Sequence, residues 1–363
     1  MSTASFKSFA FSRYFCIVTL GVALLVSPWT NARTLSLAIA NAPVDTGEHK
    51  ALMWWMGAID QCTQGETKIK GYYLQSLVKL KDALSGVSAG IADIAIIAPG
   101  YDQAKLPLWY LSKSDIGSGN QYVTALAFGH IRERFPAIRE EEKRNNIKYL
   151  SHYSVGPSVI LSVNKPYMEP SDLDGAKVYF SSSWSRAANL QGWRVSTVNL
   201  SFPDLYSSME RGTIDAFTSY LPLIEAYKHN EIANYAVNPG IGQQMNLIAM
   251  NRGVWESLPV KSRECFDSLQ PKLLLRLARA ELDDSANAQK RLSGAEKYSM
   301  QFLEPDDKQK AAWNEGFEKA NDEKVERLSK YNQHVAEINK AYLKEVGAVT
   351  EAVRQEGYPW EKK

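Results

Sequence analysis

The stretch from Asp172 to Tyr220 constrains the fold of this chain more than any other. It reads DLDGAKVYFSSSWSRAANLQGWRVSTVNLSFPDLYSSMERGTIDAFTSY. Lys177-Val178-Tyr179-Phe180 is a β-prone run behind an Asp-Leu-Asp-Gly turn. Trp184 to Gly192 reads as a short helix, and Val195 to Leu200 as a second β-prone run. Phe202-Pro203-Asp204 opens another helix, whose Leu205, Tyr206 and Met209 share one face. Arg211-Gly212 closes it, and Ile214-Asp215-Ala216-Phe217 starts a further strand. This βαβαβ rhythm with short connections predicts a mainly parallel sheet. Ligands of such open sheets sit beyond the carboxyl ends of the strands. Here those ends carry Tyr179 to Ser183 and Thr218 to Tyr220.

The same unit occurs earlier. Leu77 to Leu84 reads as a helix, Gly90 ends it, and Asp93 precedes the apolar run Ile94 to Ile97. Two matching units predict two α/β lobes with a ligand held between them. Leu35 to Ala40 reads as a first strand, and Glu48 opens the helix that follows. Tyr149 to Val163 is β-rich and reads as a crossing between lobes, with Asn246 to Met250 returning to the first. Glu133 to Asn146 is a dense charge run, read as a solvated helix face and connection. From Pro305 to Val353 apolar residues recur at three- and four-residue spacing, a helical tail that braces the lobes.

The 363 residues leave room for about two domains, with 45% hydrophobic residues to form cores. A net charge of +2 supplies no field for nucleic acid. Lys7 and Arg13, the apolar run Cys16 to Val26, and the break at Ser27-Pro28 have the layout of a cleaved export signal over residues 1–32. The apolar run is short for a membrane span. Its removal leaves 40 basic and 40 acidic residues, and predicts a soluble, periplasmic mature chain. Cys62 and Cys265 then remain; an exported pair could form a disulfide, but neither spacing nor context argues for one, and two free, buried thiols are expected. The five histidines are scattered, so no metal site is expected, nor any cofactor. No Ser-His-Asp order, Cys-His pair or phosphate loop marks an enzyme.

Asp172-Leu173-x-Gly175-x-Lys177-Val178, followed by Phe202-Pro203-x-x-Tyr206-x-x-Met209-x-x-Gly212-x-Ile214-Asp215, resembles the DctP-type solute-binding proteins of tripartite ATP-independent periplasmic (TRAP) transporters. Leu84-x(5)-Gly90-x-Ala92-Asp93 with Pro99-Gly100-Tyr101, and Asn251-x-x-Val254-Trp255-x-x-Leu258-Pro259, are similar to two further patterns of that family. The resemblance implies a two-lobed type II periplasmic-binding-protein-like α/β fold with a long helix bridging the lobes and extra C-terminal helices. Residues 33–156 and 245–284 would form lobe I; residues 157–244 and 285–363 would form lobe II with the bridging and C-terminal helices. It also implies capture of a small-molecule solute by lobe closure and its delivery to membrane permease subunits. A ligand sensor of a signalling system shares these features. A cleft enzyme is the third alternative.

The family's usual arginine after "D-L-x-G-x-K-[IVL]" is replaced by Tyr179. A second arginine position is occupied by Val159, and the usual asparagine after the "[IV]-D-G" strand corresponds to Ser219. A phenol supplies no fixed charge, and an unpaired buried carboxylate is costly. An amine, neutral or aromatic solute is therefore expected in place of a typical organic acid. The expected contacts are Glu48, Tyr101, Tyr153, Tyr179, Trp184, Ser219 and Tyr220, combining aromatic faces with one carboxylate. Arg186 is a rival anion-binding group close to the same strand end.

Overall fold

The computed structural model describes residues 1–2, 32–43, 46–113, 115–116, 118–200 and 202–361, except the side chain of Pro203. The expected export signal falls almost wholly outside them. From residue 32 onward the chain forms one compact unit.

The first lobe begins with β1 (Arg33–Ala38), α1 (Gly47–Cys62), β2 (Thr67–Tyr72), α2 (Ala83–Ser88) and β3 (Ile94–Ile97). Three helices follow, α3 (Pro107–Tyr110), α4 (Gln121–Arg134) and α5 (Pro136–Arg144), and then β4 (Ile147–Val155). The chain crosses into β5 (Ser158–Ser162), β6 (Lys177–Tyr179), α6 (Ser182–Gln191), β7 (Ser196–Thr197), α7 (Leu205–Glu210), β8 (Ala216–Tyr220), α8 (Leu221–Ala226) and β9 (Tyr235–Val237). It returns through β10 (Gln244–Asn251) and α9 (Arg252–Ser257) to α10 (Val260–Ser293), β11 (Gln301–Leu303), α11 (Asp307–Ser329) and α12 (Val335–Glu356).

Among the described residues these strands form two sheets, ordered β2-β1-β3-β10-β4 and β11-β9-β5-β8-β6-β7. In the second, β6 runs parallel to both β7 and β8, as the βαβαβ reading requires. β4 lies in the first sheet and β5 in the second, and β10 returns to the first. The 34 residues of α10 span about 50 Å. That helix packs on α1, β4 and α4 of the first lobe and on α8 and β11 of the second.

Three expectations are corrected. Cys62 and Cys265 form a disulfide, with Cα atoms 5.9 Å apart. Packing of α1 along α10 brings the ends of a 203-residue separation together, which spacing does not reveal. The charge run at 133–146 is only partly solvated. Glu141 is fully buried and accepts hydrogen bonds from the backbone N–H groups of Leu108 and Trp109 at the start of α3. Glu142 is buried against Arg132, with N–O distances of 2.7 and 2.8 Å, and Arg132 lies over the Tyr149 ring. A fork-to-fork pair needs this enclosure to be held in one geometry. Finally, the tail divides. α11 packs on α6 of the second lobe, whereas Val335, Ile338, Tyr342 and Val346 of α12 enter the first-lobe core beside α4.

The crossings share a polar knot. The side-chain amide of Gln121 donates to the carbonyl of Gly156 and to Ser285 Oγ. Gln243 Oε1 accepts from Thr124 at 2.9 Å and from Ser154. Gly242 here has φ +83°, and a Cβ on it would stand 2.5 Å from Ser158 Oγ, so only glycine fits the close approach.

Candidate functional site

β1 ends and the chain turns into α1 at the carboxyl edge of the first sheet. Thr46 caps α1 by accepting the His49 N–H. That places Glu48 in the first turn, where the helix dipole favours a carboxylate. Tyr153, from β4, donates its hydroxyl to Glu48 Oε1 at 2.8 Å, and Asn41 donates its amide to Oε2 at 3.0 Å. α10 adds two acids behind it. Asp284 Oδ2 accepts the Gly47 N–H at 2.5 Å, and Glu281 is 2% exposed. Burial lifts the Glu48 carboxyl above its usual range, against the Tyr153 and Asn41 hydrogen bonds that hold it down; Asp284 adds to the rise. Burial lifts Glu281 further still, helped by the charges of Glu48 and Asp284. Three carboxyl groups are thus held close together.

The other wall is aromatic. Tyr179 and Tyr220 end the adjacent strands β6 and β8 and are partly buried. Tyr101 follows β3 and is 59% exposed. Lys113 reaches the same region from the first lobe and is nearly enclosed. Burial disfavours its charge, and the neighbouring Tyr110 and Asp115 oppose that, so that on balance the ammonium is held above its usual value. Tyr227 stands within electrostatic reach of both Tyr101 and Glu48, linking the two walls.

Residues 39–328 match the family described as bacterial extracellular solute-binding protein, family 7. The chain belongs to that family. A solute-binding protein of Chromohalobacter salexigens is 24% identical over 257 residues, covering 68% of this chain and 73% of the relative. Among solved structures, a TRAP solute-binding protein from Rhodoferax ferrireducens with copurified benzoate superposes with a TM-score of 0.77 at 15% identity. It covers 89% of this chain and all of that one. A TRAP periplasmic solute-binding protein from Chromohalobacter salexigens with bound D-glucuronate gives 0.73 at 19% identity, covering 85% of this chain and 99% of that one. The two-lobed architecture is therefore that of the TRAP receptors, and a family 7 protein is a binding receptor. Among the described residues no helix is long and apolar enough to cross a membrane, and no acid, cysteine and histidine group is arranged to hold a metal.

In this family 7 chain the seven expected contacts are not all alike. Glu48 and Tyr153 are hydrogen-bonded to each other, and Tyr101, Tyr179 and Tyr220 share one electrostatic neighbourhood. Trp184 is fully enclosed by Phe180, Trp313 and Phe317; its indole Nε1 has no partner. Ser219 is 1% exposed and meets His229 Nδ1 at 3.5 Å. Its strand neighbour Val159, the second arginine position, lies in the core of the second lobe. Arg186 is half-exposed and pairs with Glu323 of α11 at 3.3 Å. Sequence reasoning missed Glu281, Lys113 and Asp115. Glu281 sits on the apolar face of α10 among Leu274, Leu277, Ala278 and Ala288, and an acid on that face was a readable signal. Lys113 and Asp115 interrupt the end of the apolar run LPLWYL in the same way.

Proposed function

We propose that this protein is an exported, periplasmic TRAP receptor that captures a small molecule between its lobes and passes it to membrane permease subunits. Its preferred solute is an amine or quaternary ammonium carried on an aromatic or neutral body. One observation carries this reading. Glu48, Glu281 and Asp284 converge near the Tyr153 hydroxyl; the groups acting on Glu48 and Glu281 are other carboxyls, a phenol and an amide, while Arg291 and Lys50 act on Asp284 alone of the three. Buried acids that repel one another are relieved by a cation, and aromatic faces add about 0.5–2 kcal/mol per cation–π contact. Tyr179 and Val159 stand where the related pattern has arginines, which supports the same polarity.

A thermal-shift and tryptophan-fluorescence panel of amines, quaternary ammonium compounds, sugars, aromatic acids and dicarboxylates tests it. Amines should raise the Tm. Glu48→Gln should weaken the best amine by about tenfold or more, the loss of one charged hydrogen bond. Tight binding of a simple dicarboxylate in preference to every amine would defeat the ligand class. Silence across the whole panel would count against the receptor role.

A further inference from the structure

Beyond α12 the chain folds back on the molecule. Gly357 ends that helix with φ +71°, and a Cβ on it would stand 2.8 Å from Glu361 Oε2, so the turn requires glycine. Glu361 closes the turn by accepting the Tyr358 N–H at 2.9 Å. The rings of Tyr358 and Trp360 then lie parallel, 4.9 Å apart with 4° between their planes. Tyr122, in the first turn of α4, meets both rings edge-on, at 5.4 and 5.2 Å. Asn120 donates its amide to the Tyr358 hydroxyl at 2.6 Å, while its Oδ1 caps α4 by accepting the Val123 N–H at 3.0 Å. Arg279 of α10 lies over the Trp360 ring, 5.9 Å from its centre.

The segment that the tail grips is also the one on which the lobe crossings rest. Gln121 reaches the Gly156 carbonyl and Ser285. Gln243 donates its amide to the Ser118 carbonyl at 3.1 Å. Gly119 stands so near the second crossing that a Cβ on it would lie 3.1 Å from the Gly240 carbonyl oxygen. The crossings are bonded to each other as well, since the Ser158 N–H donates to the Ile241 carbonyl at 2.8 Å. Residues 118–121 therefore form one bearing, with the crossings on one side and the tail on the other. Lobes swing through a few residues at such crossings. How far they swing depends on how firmly the bearing is held.

We propose that residues 357–361 are a strut that limits the opening of the two lobes, with Tyr122, Tyr358 and Trp360 as its positioning residues. Edge-on contact with two parallel rings fixes both the distance and the angle of Tyr122, which aliphatic cover does not. Asn120 uses one end of its amide for the α4 cap and the other for the tail, so a shift of the helix end breaks one bond or the other. The strut grips α4 and α10, and it governs closure without supplying a solute contact. The inference rests on the two-lobed fold and is independent of the solute class.

Nitroxide labels on Lys68→Cys in the first lobe and Glu210→Cys in the second, both exposed positions, read the distribution of lobe separation in solute-free protein. Cys62 and Cys265 are held in their disulfide and take no label. Deleting residues 357–363 should widen the distribution. Amide exchange at residues 155–159 and 240–245 should quicken about tenfold, while β1 and β3 keep the parent rates. Trp360→Ala and Tyr122→Ala should reproduce the deletion, and Trp360→Phe, which keeps a stacked ring, should retain the parent distribution. Tyr358→Phe removes the Asn120 hydrogen bond alone and should give a smaller widening in the same direction. A parent distribution in both the deletion and Trp360→Ala would overturn the proposal. So would exchange that rises equally throughout the first lobe, because the tail would then be general cover. If the deletion does not fold, Tyr358→Phe decides the matter, and a parent distribution there overturns the proposal.

Discussion

The two lobes use one local device and are closed by different means. In the first lobe α2 ends, Gly90 adopts φ +76°, and Asp93 leads into β3. In the second α7 ends, Gly212 adopts φ +66°, and Asp215 leads into β8. Each aspartate ties its strand to a neighbour. Asp93 Oδ2 accepts the Ser36 N–H at 2.7 Å and the Ser36 hydroxyl at 2.8 Å, whereas Asp215 Oδ2 accepts the Lys177 N–H at 2.8 Å. Closure differs. The first lobe carries the disulfide between α1 and α10 and is covered by α12. The second relies on an aromatic stack in which Trp313 and Phe317 of α11 meet Trp184 and Trp193. Trp313 Nε1 also donates to the Met168 carbonyl at 2.8 Å. A shared strand-entry turn thus builds a lobe, but distant helices decide how firmly it is shut.

The largest expected effect is on that stack. Trp313→Ala should cost about 3–5 kcal/mol, and amide exchange should rise in β6 and α6 well before β1 and β3. Equal loosening of both lobes would break the contrast. Replacing Cys62 and Cys265 together by alanine should cost about 2–5 kcal/mol, with the loss of protection centred on α1 and the first half of α10. A second-lobe response of the same size would show that the bridge does not belong to one lobe.

Acid should strike both lobes through one buried imidazole each. Burial pulls His152 down to about 4, against its hydrogen bond to the Ala125 carbonyl, and burial alone pulls His229 to about 4. A depressed histidine adds stability that is complete above its unfolded value near 6.5 and is lost as the pH falls to about 4. Each histidine is expected to account for on the order of 3 kcal/mol of acid sensitivity. The two differ in their partners. His152 has Tyr149 on one nitrogen and Ala125 on the other, while His229 Nε2 has none. His229→Phe should therefore remove the second lobe's share at little cost near pH 7, whereas His152→Phe should destabilise at both pH values. Equal acid midpoints in the parent and His229→Phe would refute this. The smallest difference is between the aspartates. Asp93→Ala should cost about 1–3 kcal/mol and Asp215→Ala about 0.5–1.5 kcal/mol, following the number of hydrogen bonds lost; chemical denaturation midpoints compare them.

The strand and helix order was readable because each unit is specified within a few turns. Leu205 and Met209 share a buried face, and glycine ends both strand-entry helices. Position at a strand or helix end was readable for Glu48, Tyr179 and Tyr220. Trp184 shares that position by sequence, yet α11 arrives from more than a hundred residues later and covers it. β7 also shrinks to Ser196–Thr197, because it is an edge strand with only β6 to pair with.

By itself the sequence determined the two α/β units, their parallel entry and the crossing near residue 156, since periodicity and turn chemistry act between neighbours. Tertiary structure alone decided that Cys62 meets Cys265, that Glu141 and Glu142 are buried, and that Glu281 and Asp284 stand behind Glu48. Those outcomes depend on how long helices pack across the sheets. A charge or thiol carries no local mark of which distant partner will desolvate or neutralise it.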